Sequence, residues 1–123
     1  MKRLGDAELE IMLAVWNAEG PVQSTYIHQR LRASRNWALP AVVTAMNRLV
    51  EKGFLSSRKE GRCNLYSPLI TAQAYRAAEG RSVLNRLYGG SFTGMAAALY
   101  DGKAIQKKDL DELRQYLDQL EEE

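Results

Sequence analysis

Between Leu39 and Leu55 the chain reads LPAVVTAMNRLVEKGFL, and Val42, Met46, Leu49 and Val50 fall at i, i+4, i+7 and i+8. That spacing is one apolar stripe of a helix about three turns long. Pro40 fits the first turn, where its missing N–H is no loss, and Gly53 supplies the left-handed residue that ends a helix after Lys52. The pattern therefore predicts a helix over Leu39 to Lys52. Its opposite face carries Pro40, Ala41, Thr44, Asn47, Arg48 and Glu51, with no large apolar group. Such a face suits a DNA groove or plain solvent, and only the flanking pattern can decide between them.

Upstream, Leu9, Met12, Leu13 and Trp16 recur at i, i+3, i+4 and i+7 behind Asp6, which predicts an amphipathic helix capped by that aspartate and ended by Glu19-Gly20-Pro21. A shorter helix is expected from about Ser24 to Arg32, burying Ile27 and Leu31 and turning His28, Arg30 and Arg32 outward. With a single histidine and no cluster of soft ligands beside it, His28 is read as a surface residue. Helix, short connection and helix with a basic outer face follow the helix-turn-helix plan. Downstream, Phe54 to Arg58 and Cys63 to Ser67 read as two short strands around Lys59-Glu60-Gly61-Arg62, with Gly61 providing the positive φ of the turn and Pro68 stopping the second strand. This is a wing. Arg58, Lys59 and Arg62 gather at its tip, within reach of a phosphate backbone, and Arg48 and Lys52 extend the same cationic set.

After residue 70 the pattern changes. Thr71 is placed to cap a long helix through Tyr75, Ala78, Leu84, Leu87 and Tyr88, Gly89-Gly90 ends it, and Ser91 caps a small-residue helix to Tyr100. From about Lys107, Leu110, Leu113, Leu117 and Leu120 repeat at spacings of 3, 4 and 3, as in a helix seam. Helices this short do not bury their apolar faces alone. They either fold back onto the first domain or pair with a second copy, and pairing is favoured, with Leu84, Leu87, Tyr88 and the four seam leucines in the interface. The division is thus a winged-helix DNA-binding domain over 1–70 and a helical dimerisation domain over 71–123, mainly α with one small β-hairpin.

Charge agrees with that division. The net charge of +2 separates into ten Lys and Arg against six acids in residues 1–70, a net of +4, and seven against nine in 71–123, a net of −2. A basic front half suits a polyanion. One cysteine, Cys63, excludes an internal disulfide, and one Cys with one His leaves no structural zinc set. In the wing beside Arg62, Cys63 is read as a buried, inert thiol in preference to a redox sensor. No nucleophile-base pair, phosphate-cradling loop or paired-carboxylate pattern is present, so an enzyme is not expected and no cofactor is implied. No apolar run approaches a bilayer span, and the N-terminus has no signal-peptide core, so a cytoplasmic protein without membrane contact is expected.

Five blocks then carry a resemblance: LGDAELEIMLAVW at 4–16, NRLVEKGFL at 47–55, KEGR at 59–62, YSPL at 66–69 and LYGGS at 87–91. In this order, and nearly end to end, they resemble the penicillinase-repressor family of BlaI, MecI and CopY type. The resemblance implies a homodimeric winged-helix repressor on a palindromic double-stranded DNA operator. It also marks departures. Recognition helices of the family usually begin with Lys, Ser or Thr where this chain has Pro40 and Ala41, so base contacts are expected from Thr44 and Asn47, with apolar contacts from Pro40 and Ala41 that suit thymine methyls. The paired C-terminal cysteines of copper-responsive members are absent. A regulatory protease is implied as a further partner, acting in the Ser91 to Tyr100 helix near Ala98-Leu99, although the customary asparagine is missing there. A reading from another class is a winged-helix module whose basic wing meets an acidic protein.

Overall fold

The computed structural model describes residues 1–122 and contains, in order, α1 (Asp6–Asn17), α2 (Ser24–Leu31), α3 (Leu39–Glu51), β1 (Leu55–Glu60), β2 (Cys63–Pro68), α4 (Ala72–Tyr88), α5 (Phe92–Asp101) and α6 (Lys107–Glu122). The chain forms two units, Met1–Glu79 and a second beginning at Gly80.

The first unit holds the core. Val42, Met46 and Leu49 of α3 are fully buried against Ile11, Met12 and Val15 of α1, Ile27 and Leu31 of α2, and Phe54, Leu55 and Tyr66 of the hairpin. The α3 stripe is the expected one, with Val50 at its half-buried edge. The α1 stripe is not. Ile11 and Val15 are buried where Leu9 and Trp16 are only partly covered and Leu13 is 41% exposed. Helix α1 is apolar around most of its circumference, so a four-residue periodicity match selected a seam rotated from the one that α2 and α3 cover. Trp16 instead donates its indole N–H to the carbonyl of Ile70 at 2.8 Å.

The α1 cap also differs. Gly5 is the N-cap, its N–H donating to Glu8 Oε1 at 3.3 Å, and Asp6 is the first helical residue, where a carboxylate still complements the helix dipole. At the far end of α3, Gly53 has φ 85°, its N–H meets the carbonyl of Val50 and that of Phe54 meets Leu49. These two bonds make a Schellman turn that drops Phe54 into the core.

The wing is a two-stranded antiparallel sheet in which Leu55 faces Pro68 and Glu60 faces Cys63, closed by Gly61 at φ 64°. β1 starts one residue later and ends two residues further than expected, and β2 ends one residue further, at Pro68. An antiparallel bridge between Val22 and Tyr66, with N–H to O distances of 3.0 and 2.8 Å, ties the α1–α2 loop to the free edge of β2. Helix α4 begins where Thr71 accepts the N–H of Ala74, as the sequence implies. Tyr75 of α4 is buried against Trp16 and Phe54 and accepts the N–H of Leu4, so the first compact unit includes the start of α4, to Glu79.

In the second unit Ser91 caps α5 through the N–H of Gly94, and α6 starts at Lys107 as expected. No residue from Gly80 to Glu122 is buried. Among the described residues no helix is long and apolar enough to cross a membrane.

Candidate nucleic-acid interface

Because the buried stripe of α3 fixes its rotation, the opposite face is set as well. Pro40, Ala41, Thr44, Asn47, Arg48 and Glu51 are all exposed along it. The four residues expected to face bases therefore lie on one open surface. Three of them have no side-chain hydrogen bond among the described residues, while Asn47 accepts one from the hydroxyl of Tyr66 at 3.0 Å.

The cations are less uniform than the sequence suggests. Arg48, Lys59 and Arg62 are exposed and form no ion pair among the described residues. Arg58 touches Glu60 at 3.4 Å with both side chains about two-thirds exposed, a contact that competes weakly with a phosphate. Lys52 is engaged. Its Nζ lies 2.8 and 2.7 Å from the two carboxylate oxygens of Glu8, which joins the end of α3 to the start of α1. Burial alone would raise the Glu8 carboxyl. The Lys52 hydrogen bond, the Gly5 N–H and the charges of Lys52 and Arg48 outweigh it and hold the carboxyl below the usual carboxylate range. The ion pair leaves Lys52 less free to meet a phosphate than Arg48, Lys59 and Arg62.

The α2–α3 connection is braced in a way that periodicity does not reveal. His28 Nε2 is 2.8 Å from the carbonyl of Trp37, the Arg35 guanidinium lies over the Trp37 ring at 5.6 Å, and Arg35 is ion-paired with Glu10 of α1. The Arg35 hydrogen bond leads the causes that lower the Glu10 carboxyl. His28, expected at a plain polar surface, is half-buried and holds the turn ahead of α3. Beside it an open cleft of about 480 Å³ is lined by His28, Arg32, Arg35, Asn36 and Trp37. Cys63 is exposed at the wing turn, not buried.

The residues expected in the pairing interface belong to the second unit. Leu84, Tyr88, Leu110 and Leu113 are half-buried there, Leu87 is 67% exposed, and Leu117 and Leu120 are each 47% exposed. Glu8 and Tyr66, both of which hold groups on or beside the α3 face, were not singled out from sequence. Their partners lie 44 and 19 residues away, and no local pattern encodes that distance.

A helix-turn-helix whose second helix shows an open polar face, flanked by a hairpin with a cationic tip, defines a winged-helix DNA-binding protein. The chain belongs to the penicillinase repressor family of DNA-binding transcriptional repressors, whose family model matches residues 4–119. It is 29% identical over 117 residues to the penicillinase repressor of Bacillus licheniformis, covering 95% of this chain and 91% of that protein. Among solved structures, the DNA-binding domain of the repressor BlaI matches with a TM-score of 0.52 at 32% identity, covering 61% of this chain and 94% of that one. The monomeric form of Bacillus licheniformis BlaI in complex with the blaP half-operator matches with a TM-score of 0.51 at 31% identity, covering 60% and 89%.

Proposed function

We propose that this repressor acts as a homodimer on a two-fold symmetric operator, with α3 in the major groove and the wing on the flanking phosphates. The observation that carries this reading is the geometry of α3. Its core face is fixed by buried Val42, Met46 and Leu49, so Pro40, Ala41, Thr44 and Asn47 are presented together beside Arg48 and the cationic hairpin. Arg48, Arg58, Lys59 and Arg62 are the phosphate contacts. Pairing of two copies through Leu84, Leu87, Tyr88, Leu110, Leu113, Leu117 and Leu120 accounts for the apolar surface that the second unit leaves uncovered. The half-operator complex of the similar BlaI domain supports DNA over an acidic protein as the partner. We read the chain as a regulator with no catalytic activity, working in the cytoplasm where its operator lies. A regulatory protease acting near Ala98-Leu99 of α5 belongs to the same proposal, and loss of operator binding after cleavage there would support it.

Enrichment of operators from a random double-stranded DNA library, followed by footprinting and a salt titration, tests the reading. The expected site has two half-sites related by a two-fold axis. Four cations per protomer place about eight phosphate contacts in a dimer, so the log-log dependence of affinity on salt should have a slope of about −7. A library that yields no enriched sequence, or a slope near zero, would remove DNA as the partner.

A further inference from the structure

Tyr66 is 1% exposed and belongs to the core by burial, where phenylalanine would fill the same space. Its hydroxyl reaches out of that core to Oδ1 of Asn47 at 3.0 Å, from the wing to α3. A buried phenol needs a hydrogen-bond partner, and Asn47 is the partner supplied. Asn47 itself is exposed on the same α3 face as Thr44 and Arg48. One residue thus has one end held by the core and the other open to a ligand.

A carboxamide has an accepting end and a donating end. An asparagine free to turn about its broad terminal torsion reads adenine with both, donating to N7 and accepting from the N6 amino group. Here the bond turns Oδ1 toward the buried Tyr66 hydroxyl; the oxygen keeps a second lone pair, but with Oδ1 drawn toward the wing the amide presents the two N–H donors of Nδ2 on the open face of α3. Resting on the proposed placement of α3 in the major groove, we propose that Tyr66 is a positioning residue that makes Asn47 a donor-only reader. At the base pair it faces, the repressor then selects an edge that offers acceptors. Guanine, with N7 and O6 adjacent, matches both donors, adenine and thymine offer one acceptor each, and cytosine offers only its N4 amino group. The bidentate adenine contact expected of a free asparagine is lost.

The test compares base preferences of the full-length protein on operators enriched from a random library. Asn47→Ala identifies the base pair, as the position whose preference it abolishes. Wild type should favour guanine there over adenine by about fivefold or more, the scale of one well-made base contact. Tyr66→Phe keeps the buried ring and releases the amide, so the guanine-to-adenine ratio should fall by about fivefold or more while preferences elsewhere and the salt slope stay put. Uniform weakening on all sequences, with that ratio unchanged, would mean that the hydroxyl only stabilises the fold and would overturn the proposal. Asn47→Asp provides a second route that leaves Tyr66 intact. It keeps an acceptor for the phenol and removes both donors, so the preference should move from guanine to cytosine, and retained guanine preference would equally overturn the idea. A wild-type preference for adenine at that position would do the same. If Asn47→Ala alters no position while Lys59→Gln weakens binding, this proposal fails and the DNA reading stands. If wild type enriches nothing, the DNA reading fails first.

Discussion

Glu8 and Lys52 show how one side-chain pair divides structural from binding work. Their side chains are 18% and 32% exposed, enough shielding for the pair to matter and enough water to keep it modest. Glu8→Gln should lower stability by about 1 kcal/mol at neutral pH. The Glu8 carboxyl is lowered on folding, so its contribution is fully present above the unfolded carboxylate value and is lost as pH falls through the folded one. Urea unfolding of wild type and Glu8→Gln should therefore differ at pH 7 and converge in acid. A gap that persists at the lowest pH would show that the charge is not its origin. Lys52→Met should cost similar stability yet leave the DNA salt slope near its wild-type value, because a lysine already neutralised by Glu8 releases no phosphate counterion. At this scale the sequence shows which residues lie on the outer face of α3, since that follows from the stripe opposite. It does not show that Lys52 is paired, that Asn47 is held by Tyr66 or that His28 braces Trp37, because each partner is set by the packing of separate elements.

Elements follow from sequence to the degree that one feature dominates them. Helix α3 is legible because its stripe, its Pro40 and its Gly53 all agree, whereas of the expected α1 stripe only Met12 is fully buried, because that helix is apolar around most of its circumference and its neighbours choose the seam. The hairpin was legible through Gly61. The bridge from Val22 to Tyr66 was not, since a single residue leaves no alternation to detect. Gly53 links two of these elements. Its φ of 85° permits the turn that carries Phe54 into the core, and nothing lies within 4 Å of an added Cβ, so Gly53→Ala should cost only the left-handed strain, about 1 kcal/mol. For a unit of this size that is a fall in Tm of about 4–8 °C, measurable by calorimetry. No change in Tm would show that the turn relaxes without strain. In the wing, Lys59→Gln should weaken binding to all sequences alike and flatten the salt slope by about 2 for a dimer. A change confined to one sequence would assign Lys59 to base reading instead.

For the whole molecule, the sequence separates a basic front from an apolar-seamed back, and it does not show that Tyr75, on a helix that begins beyond the wing, packs with Trp16 and Phe54. The seam leucines of the second unit are the residues proposed to pair with a second copy. If two copies pair there, the spacing of two α3 helices follows from the pairing, and reading both half-sites requires them about one DNA turn, roughly 34 Å, apart. Replacing Leu113 and Leu117 together with Asp would place carboxylates in the apolar seam at a cost of several kcal/mol, comparable with the stability of a modest dimer. The double variant should sediment as a monomer. The first unit should keep its fold, because its core of Ile11, Val15, Ile27, Met46, Leu49 and Phe54 lies wholly within Met1–Glu79. Each half-site would then bind as a separate event, without the effective concentration that linkage provides, and operator affinity should fall by about two orders of magnitude or more. Analytical ultracentrifugation paired with an operator titration decides the matter: a monomer that keeps wild-type affinity would show that the reading helices are positioned by something other than the second unit.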